Sequence, residues 1–201
     1  MACAGVAVFA LAAQAEVECH RTGKIPFSRL SEAELLRRLI FAETVSVGLK
    51  RSASCSRDSV AIMEAIAWGV RHRVGVRRPR LREVILEPGQ FNPALSDRSV
   101  YGKFFRCPAE EAARDSELEF LWSESEAVVS RVLTSKIEAS PFGSRGPGNF
   151  YYPLSSQASK RPPRWADLSQ AQAKANYIAG VVISGVSFSH ECVHFFAGRS
   201  Q

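Results

Sequence analysis

From Ser31 to Thr44 the chain reads SEAELLRRLIFAET. Its apolar positions Leu35, Leu36, Leu39 and Ile40 recur at the three- and four-residue spacing of one helix face. Ser31, three residues before Glu34, supplies a capping box at its start. The stretch VGLKRSASCSRD that follows is polar and reads as a loop. Residues 58–74, DSVAIMEAIAWGVRHRV, predict a second helix, capped by Asp58 or Ser59. It is apolar around most of its circumference and is therefore expected near the centre of the fold. PRLREVIL (79–86) predicts a short helix stopped by Pro88 and Gly89. Residues 108–139 carry an amphipathic pattern for one or two helices. Residues 140–165, rich in Gly, Pro, Ser and aromatic rings, read as a long loop. A loop of that length is usually functional or disordered, and Phe150, Tyr151, Tyr152 and Trp165 argue against disorder. LSQAQAKANYIAG (168–180) is helical in pattern, and the β-branched VVISGVSFSHECVHFF (181–196) favours strand. The pattern as a whole predicts one α+β domain, mainly α, with a small β element near the C-terminus.

Length and composition agree with a globular chain. The 201 residues suffice for a single buried core, and 46% hydrophobic with 23% charged residues is an ordinary globular balance. No segment is long and apolar enough to predict a membrane span. The opening MACAGVAVFALAAQA is a short run of small apolar residues ending in Ala13-Gln14-Ala15, like the core and cleavage site of a secretory signal. It lacks the positive start of such a signal, which suggests a truncated one. The expectation is a signal peptide at 1–15, a lead-in segment at 16–30, a folded domain at 31–201, and export to the periplasm or to the extracellular space and cell envelope. Beyond Cys3, the cysteines Cys19, Cys55, Cys107 and Cys192 suit two disulfides in an oxidising compartment, with three connectivities open. The formal charge of +6 fits an anionic partner and selects no particular one.

Two segments carry candidate chemistry. SHECVHFF (189–196) contains His190, Glu191 and His194 at the H-E-x-x-H spacing, which on a helix grips one Zn²⁺ and activates a water. The surrounding valines, isoleucine and phenylalanines favour strand instead. In a strand, Glu191 points away from both histidines and the zinc geometry is lost. Glu43 is the better candidate. It lies three residues after Ile40 and four after Leu39, on the apolar face and in the last helical turn. Desolvation there, helped by the negative helix end, is expected to keep a carboxyl protonated, as a general acid for glycosidic cleavage requires.

At this point the blocks LIFAET (39–44), VAIMEAIAWGVRHRVG (60–75), EVILEPGQFNP (83–93), GPGNFYYP (146–153), Trp165 and HFF (194–196) line up in order. Together they resemble the cell-wall hydrolase family that includes the spore cortex-lytic enzymes, a branch of the lysozyme-like fold. The resemblance implies a lysozyme-like catalytic domain over 31–201 and Glu43 as the catalytic acid/base. It also implies substrate contacts from Gln90, Phe91, Tyr151, Tyr152 and His194. The partner implied is peptidoglycan, cleaved by a lytic transglycosylase or muramidase; a monomer is expected, with no cofactor, metal or nucleic acid. A muramidase would need a second group, for which Asp58 and Glu64 are candidates. Two departures stand out: His72 replaces the usual Asn beside Arg73, and the second glutamate of the EARGE-type block is missing. A zinc peptidase built on 190–194 and a non-catalytic wall-binding protein are the competing expectations.

Overall fold

The computed structural model describes residues 19, 29–74, 80–91, 95, 99–143, 146–155, 161–183, 185–187 and 192–198. The expected signal segment, His190 and Glu191 lie outside them. Helix α1, Glu32–Ser46, starts where the capping pattern puts it, with Ser31 Oγ accepting from Glu34 N at 3.1 Å. The return half of the capping box does not form, because the Glu34 carboxylate accepts from Arg38 Nε at 2.6 Å instead. Arg38 is only 1% exposed, and its Nη1 caps the carbonyls of Phe105 and Arg106. With Phe41 and Ala42 also buried, α1 is covered on nearly every side and shares the centre with α3, Ser59–His72.

The segment between these helices is not the predicted open loop. Gly48 (φ 89°) turns the chain, a 3-10 turn covers Leu49–Arg51, and a short helix, α2, spans Ala53–Arg57. Polar composition hid it because, beyond Val47, only Leu49 and Cys55 of this segment are buried. After α4, Leu81–Ile85, come α5, Gly102–Arg106, and α6, Pro108–Ala112. The long α7, Ser116–Thr134, is capped by Asp115, which accepts from the amides of Glu117 and Leu118. Helix α1 packs against α3, α4, α5 and α7, forming a helical body.

The expected structureless loop over 140–165 also holds regular structure. Residues Pro147–Tyr151 form strand β1, paired antiparallel with the last strand, His194–Ala197, with a register shift between Pro147 and Asn149. Pro147 and the shift are tolerated because β1 is a sheet edge. Downstream, α8 covers only Ala171–Asn176, shorter than the helical pattern predicts. Tyr177–Ile178 already forms β2 on the other side of the last strand. A hairpin of β3, Val182–Ile183, and β4, Val186–Ser187, precedes β5, His194–Ala197. The sheet order is β1-β5-β2, and the class is α+β, mainly α.

Alternation along this sheet gives it two different faces. Phe150 and Phe195, partners in the register, turn toward the helical body, joined there by Phe142. Tyr151, Tyr177 and Phe196 turn the other way and close a smaller cluster with Ala166, Leu168 and Ala173. Four cysteines pair as Cys19–Cys107 and Cys55–Cys192. No described helix is long and apolar enough to cross a membrane.

Candidate functional site

Glu43 leaves α1 in its last turns and is 3% exposed, so the burial read from its helical phase is observed. Its Oε2 accepts a hydrogen bond from the Tyr152 hydroxyl at 2.7 Å. Tyr152 sits just past the end of β1, one residue beyond Tyr151 and therefore on the body-facing side, in the main core with Phe150 and Phe195. Burial pushes the Tyr152 phenol well above its ordinary value, and the neighbouring Glu43 raises it further through charge and hydrogen bond. Arg73 acts in the opposite direction, drawing the phenol down. The hydroxyl is thus held as a donor to the carboxylate.

Arg73, the C-cap residue of α3, extends the constellation. Its guanidinium carbon stands 4.8 Å from the ring centre of Phe91 and 4.6 Å from that of Phe150. Its Nη1 donates to Gln90 Oε1 at 3.1 Å. Of the six predicted site residues, Glu43, Tyr152, Gln90 and Phe91 are therefore linked in one neighbourhood through Arg73. Within it, Phe91 is buried beneath the guanidinium, Gln90 is exposed, and Tyr152 is 7% exposed with its hydroxyl committed to Glu43.

Tyr151 and His194 belong to the other face of the sheet. They are partners in the β1–β5 register, with ring centres 6.1 Å apart, and Tyr177 stands 5.6 Å from His194. Trp165 is 43% exposed and meets Tyr151 at 6.3 Å and Phe196 at 5.6 Å, both edge-on. This is a half-open aromatic shelf built on three strands and a loop. His194 stands in strand, as the local β-branched composition suggests, and no group of three or more His, Cys, Asp or Glu is arranged for a metal among the described residues.

The candidate second carboxylates are engaged elsewhere. Asp58 accepts from Arg57 Nε at 3.2 Å and Glu64 pairs with Arg131 at 2.9 Å. His72 shares a 2.5 Å hydrogen bond with Ser140 Oγ, and burial, aided by the Arg71 charge, pulls the imidazole below its ordinary value. Neutral His72 therefore pins the approach to β1 rather than entering the constellation. A separate cavity of about 290 Å³ is lined by Val45, Leu49, Tyr101, Phe104 and Leu118, among others, and by none of the predicted site residues.

Sequence reasoning missed Arg73, although the residue was in view beside His72. The available signal was a cation one position past an apolar helix, close in sequence to no carboxylate that would neutralise it. What the arrangement offers chemically is a desolvated carboxyl with one oxygen held by a phenol, beside a clamped cation and an exposed amide. No protein-family model, curated protein or solved structure matches this chain.

Proposed function

We propose that this chain is a peptidoglycan-cleaving glycosidase, a divergent member of the cell-wall hydrolase group with a lysozyme-like body. The observation that carries the reading is Glu43, a carboxyl 3% exposed and held by the Tyr152 hydroxyl at 2.7 Å. In this reading Glu43 is the group that donates a proton to the leaving glycosidic oxygen. The ordered sequence blocks around Glu43, Gln90, Tyr152 and His194 support the same reading. The two disulfides support an exported protein, since such bonds persist in oxidising compartments.

In the proposed mechanism Glu43 protonates the bridging oxygen of the β-1,4 bond between N-acetylmuramic acid and N-acetylglucosamine. The C1–O bond breaks as C1 gains oxocarbenium character. The muramic acid 6-hydroxyl then attacks C1 and returns its proton to the Glu43 carboxylate, leaving a 1,6-anhydro end. This route needs a single carboxylate, which accords with Asp58 and Glu64 both being ion-paired. The aromatic shelf of Tyr151, Trp165 and His194 offers ring faces for a sugar strand beyond the cleaved bond.

Digestion of purified peptidoglycan with wild type and Glu43→Gln, with the products separated and weighed, tests the reading. Muropeptides from wild type alone are expected, with masses one water below those of reducing ends. Wall binding by both proteins with no products would point to a binding protein instead. Peptide fragments unaffected by Glu43→Gln would point to the peptidase.

A further inference from the structure

The cavity of about 290 Å³ beside α1 is built differently from the Glu43 constellation. Val45 from α1, Leu49 from the turn after it, Phe104 from α5 and Leu118 from α7 supply its apolar walls. Protein interiors hold few voids larger than a water molecule, and an unfilled apolar space loses dispersion contacts along its whole lining. The volume stands near the lower end of small-ligand pockets, roughly 300–1,000 Å³. Leu49 and Phe104 are buried, whereas Lys50 and Arg51 of the same lining are exposed. The space therefore runs from an apolar floor to a charged mouth.

The charges at that mouth are not evenly matched. Lys50 Nζ donates to Asp115 Oδ2 at 2.5 Å, and Asp115 Oδ1 caps α7, so both groups are engaged. Glu117 lies in the first turn of α7, where the helix dipole favours a carboxylate, and its Oε1 accepts from Ser56 Oγ. Arg51 has no carboxylate partner among the described residues; its Nη1 donates to the Leu154 carbonyl at 3.0 Å. That bond anchors the guanidinium and leaves Nε and Nη2, its side-on pair of donors, for a planar carboxylate.

We infer that this cavity is a binding site for a single-chain carboxylic acid, its apolar tail inside and its carboxylate on Arg51. A phosphate-headed amphiphile fits less well, because its second negative charge meets Glu117 in the lining and Asp115 beside Lys50. The site stands independently of the glycosidase reading, since neither Glu43 nor Tyr152 nor Arg73 lines it.

Calorimetric titration of the full chain with hexanoate and octanoate, both below their micellar concentrations, tests the inference. Each buried methylene should tighten Kd about fourfold, so octanoate should bind about fifteenfold tighter than hexanoate. Octyl phosphate and octyltrimethylammonium should bind more weakly than octanoate. Arg51→Gln should weaken octanoate about threefold to fivefold at low salt, a modest loss because the pair is exposed, and leave octan-1-ol unchanged. Leu118→Trp should fill the cavity and abolish binding of both. Arg51 is exposed, so its variant tests the inference even where Leu118→Trp fails to fold. Equal affinity for octanoate and octyltrimethylammonium, or octanoate binding unchanged in Arg51→Gln, overturns the assignment of a carboxylate ligand. Absence of binding by every octyl probe overturns the site itself. A concentration-dependent dimer in sedimentation, abolished by Leu118→Trp, would give the cavity to a second copy of the chain and overturn the inference as well.

Discussion

Tyr152 shows how much one atom does at the residue scale. Its ring fills the core beside Phe150 and Phe195, while its hydroxyl occupies Glu43 Oε2 at 2.7 Å. With Oε2 accepting from the phenol, the proton of a neutral Glu43 is directed to Oε1. The phenol thereby selects which oxygen acts as acid, and Tyr152 is a positioning residue in the proposed reaction rather than a stacking platform. Tyr152→Phe keeps the ring and removes this constraint. It should lower kcat on peptidoglycan by about tenfold or more with little change in KM, and lower unfolding stability by about 1–3 kcal/mol for the lost buried partner. A dependence on pH accompanies it. The folded-state phenol lies above its ordinary value, so its contribution is fully present below about pH 10 and lost as pH rises toward the folded value. Unfolding midpoints from pH 8 to 11 should fall more steeply for wild type than for Tyr152→Phe. Parallel slopes would contradict the assignment.

At the scale of elements, contact between α3 and β1 sets where Tyr152 can be. Gly69 lies in the buried face of α3, and a Cβ there would stand 2.5 Å from Phe150 Cε1 and Cζ and 2.9 Å from Pro147 Cγ. Helix propensity alone would make Gly69→Ala stabilising by about 1 kcal/mol. The packing reverses the sign: β1 must shift, and a net loss of about 1–3 kcal/mol in urea titration is expected. A gain would show that β1 moves freely over α3. This contact also explains what the sequence disclosed and what it hid. α1 and α3 were legible because their apolar spacing is local, and Glu43's burial followed from its helical phase. β1 was not, because PGNFY becomes a strand only through pairing with β5, more than forty positions later in the chain. For the same reason the sequence, which favoured Tyr151 over Tyr152 on the resemblance alone, did not disclose that the sheet assigns them opposite faces, with Tyr152 the one that meets Glu43. Arg73 was hidden similarly, since its partners Gln90, Phe91 and Phe150 come from two other segments.

Across the whole molecule, the helical body and the sheet are joined covalently as well as by packing. Cys55 in α2 and Cys192, two residues before β5, are both fully buried and bonded across a sequence separation of 137. β5 is the central strand of the sheet, so this bond fixes the element on which both neighbours depend, β1 with Tyr151 on one side and β2 on the other. The Cys19–Cys107 bond differs: Cys107 joins α5 to α6, and neither cysteine lies in an element that carries Glu43, Tyr152 or Arg73. The two bonds should therefore separate in their effects. Replacing Cys55 and Cys192 together by serine should cost about 2–5 kcal/mol of unfolding stability. It should also reduce wall cleavage, because a loosened β5 no longer holds β1 in the register that delivers Tyr152 to Glu43. Replacing Cys19 and Cys107 should lower stability while leaving kcat close to that of wild type under conditions where the protein stays folded. Paired urea titrations and digestions of the two double variants make the comparison. Equal loss of kcat in both, at temperatures where both are folded, would mean that the disulfides act only through global stability and that β5 does not carry the coupling.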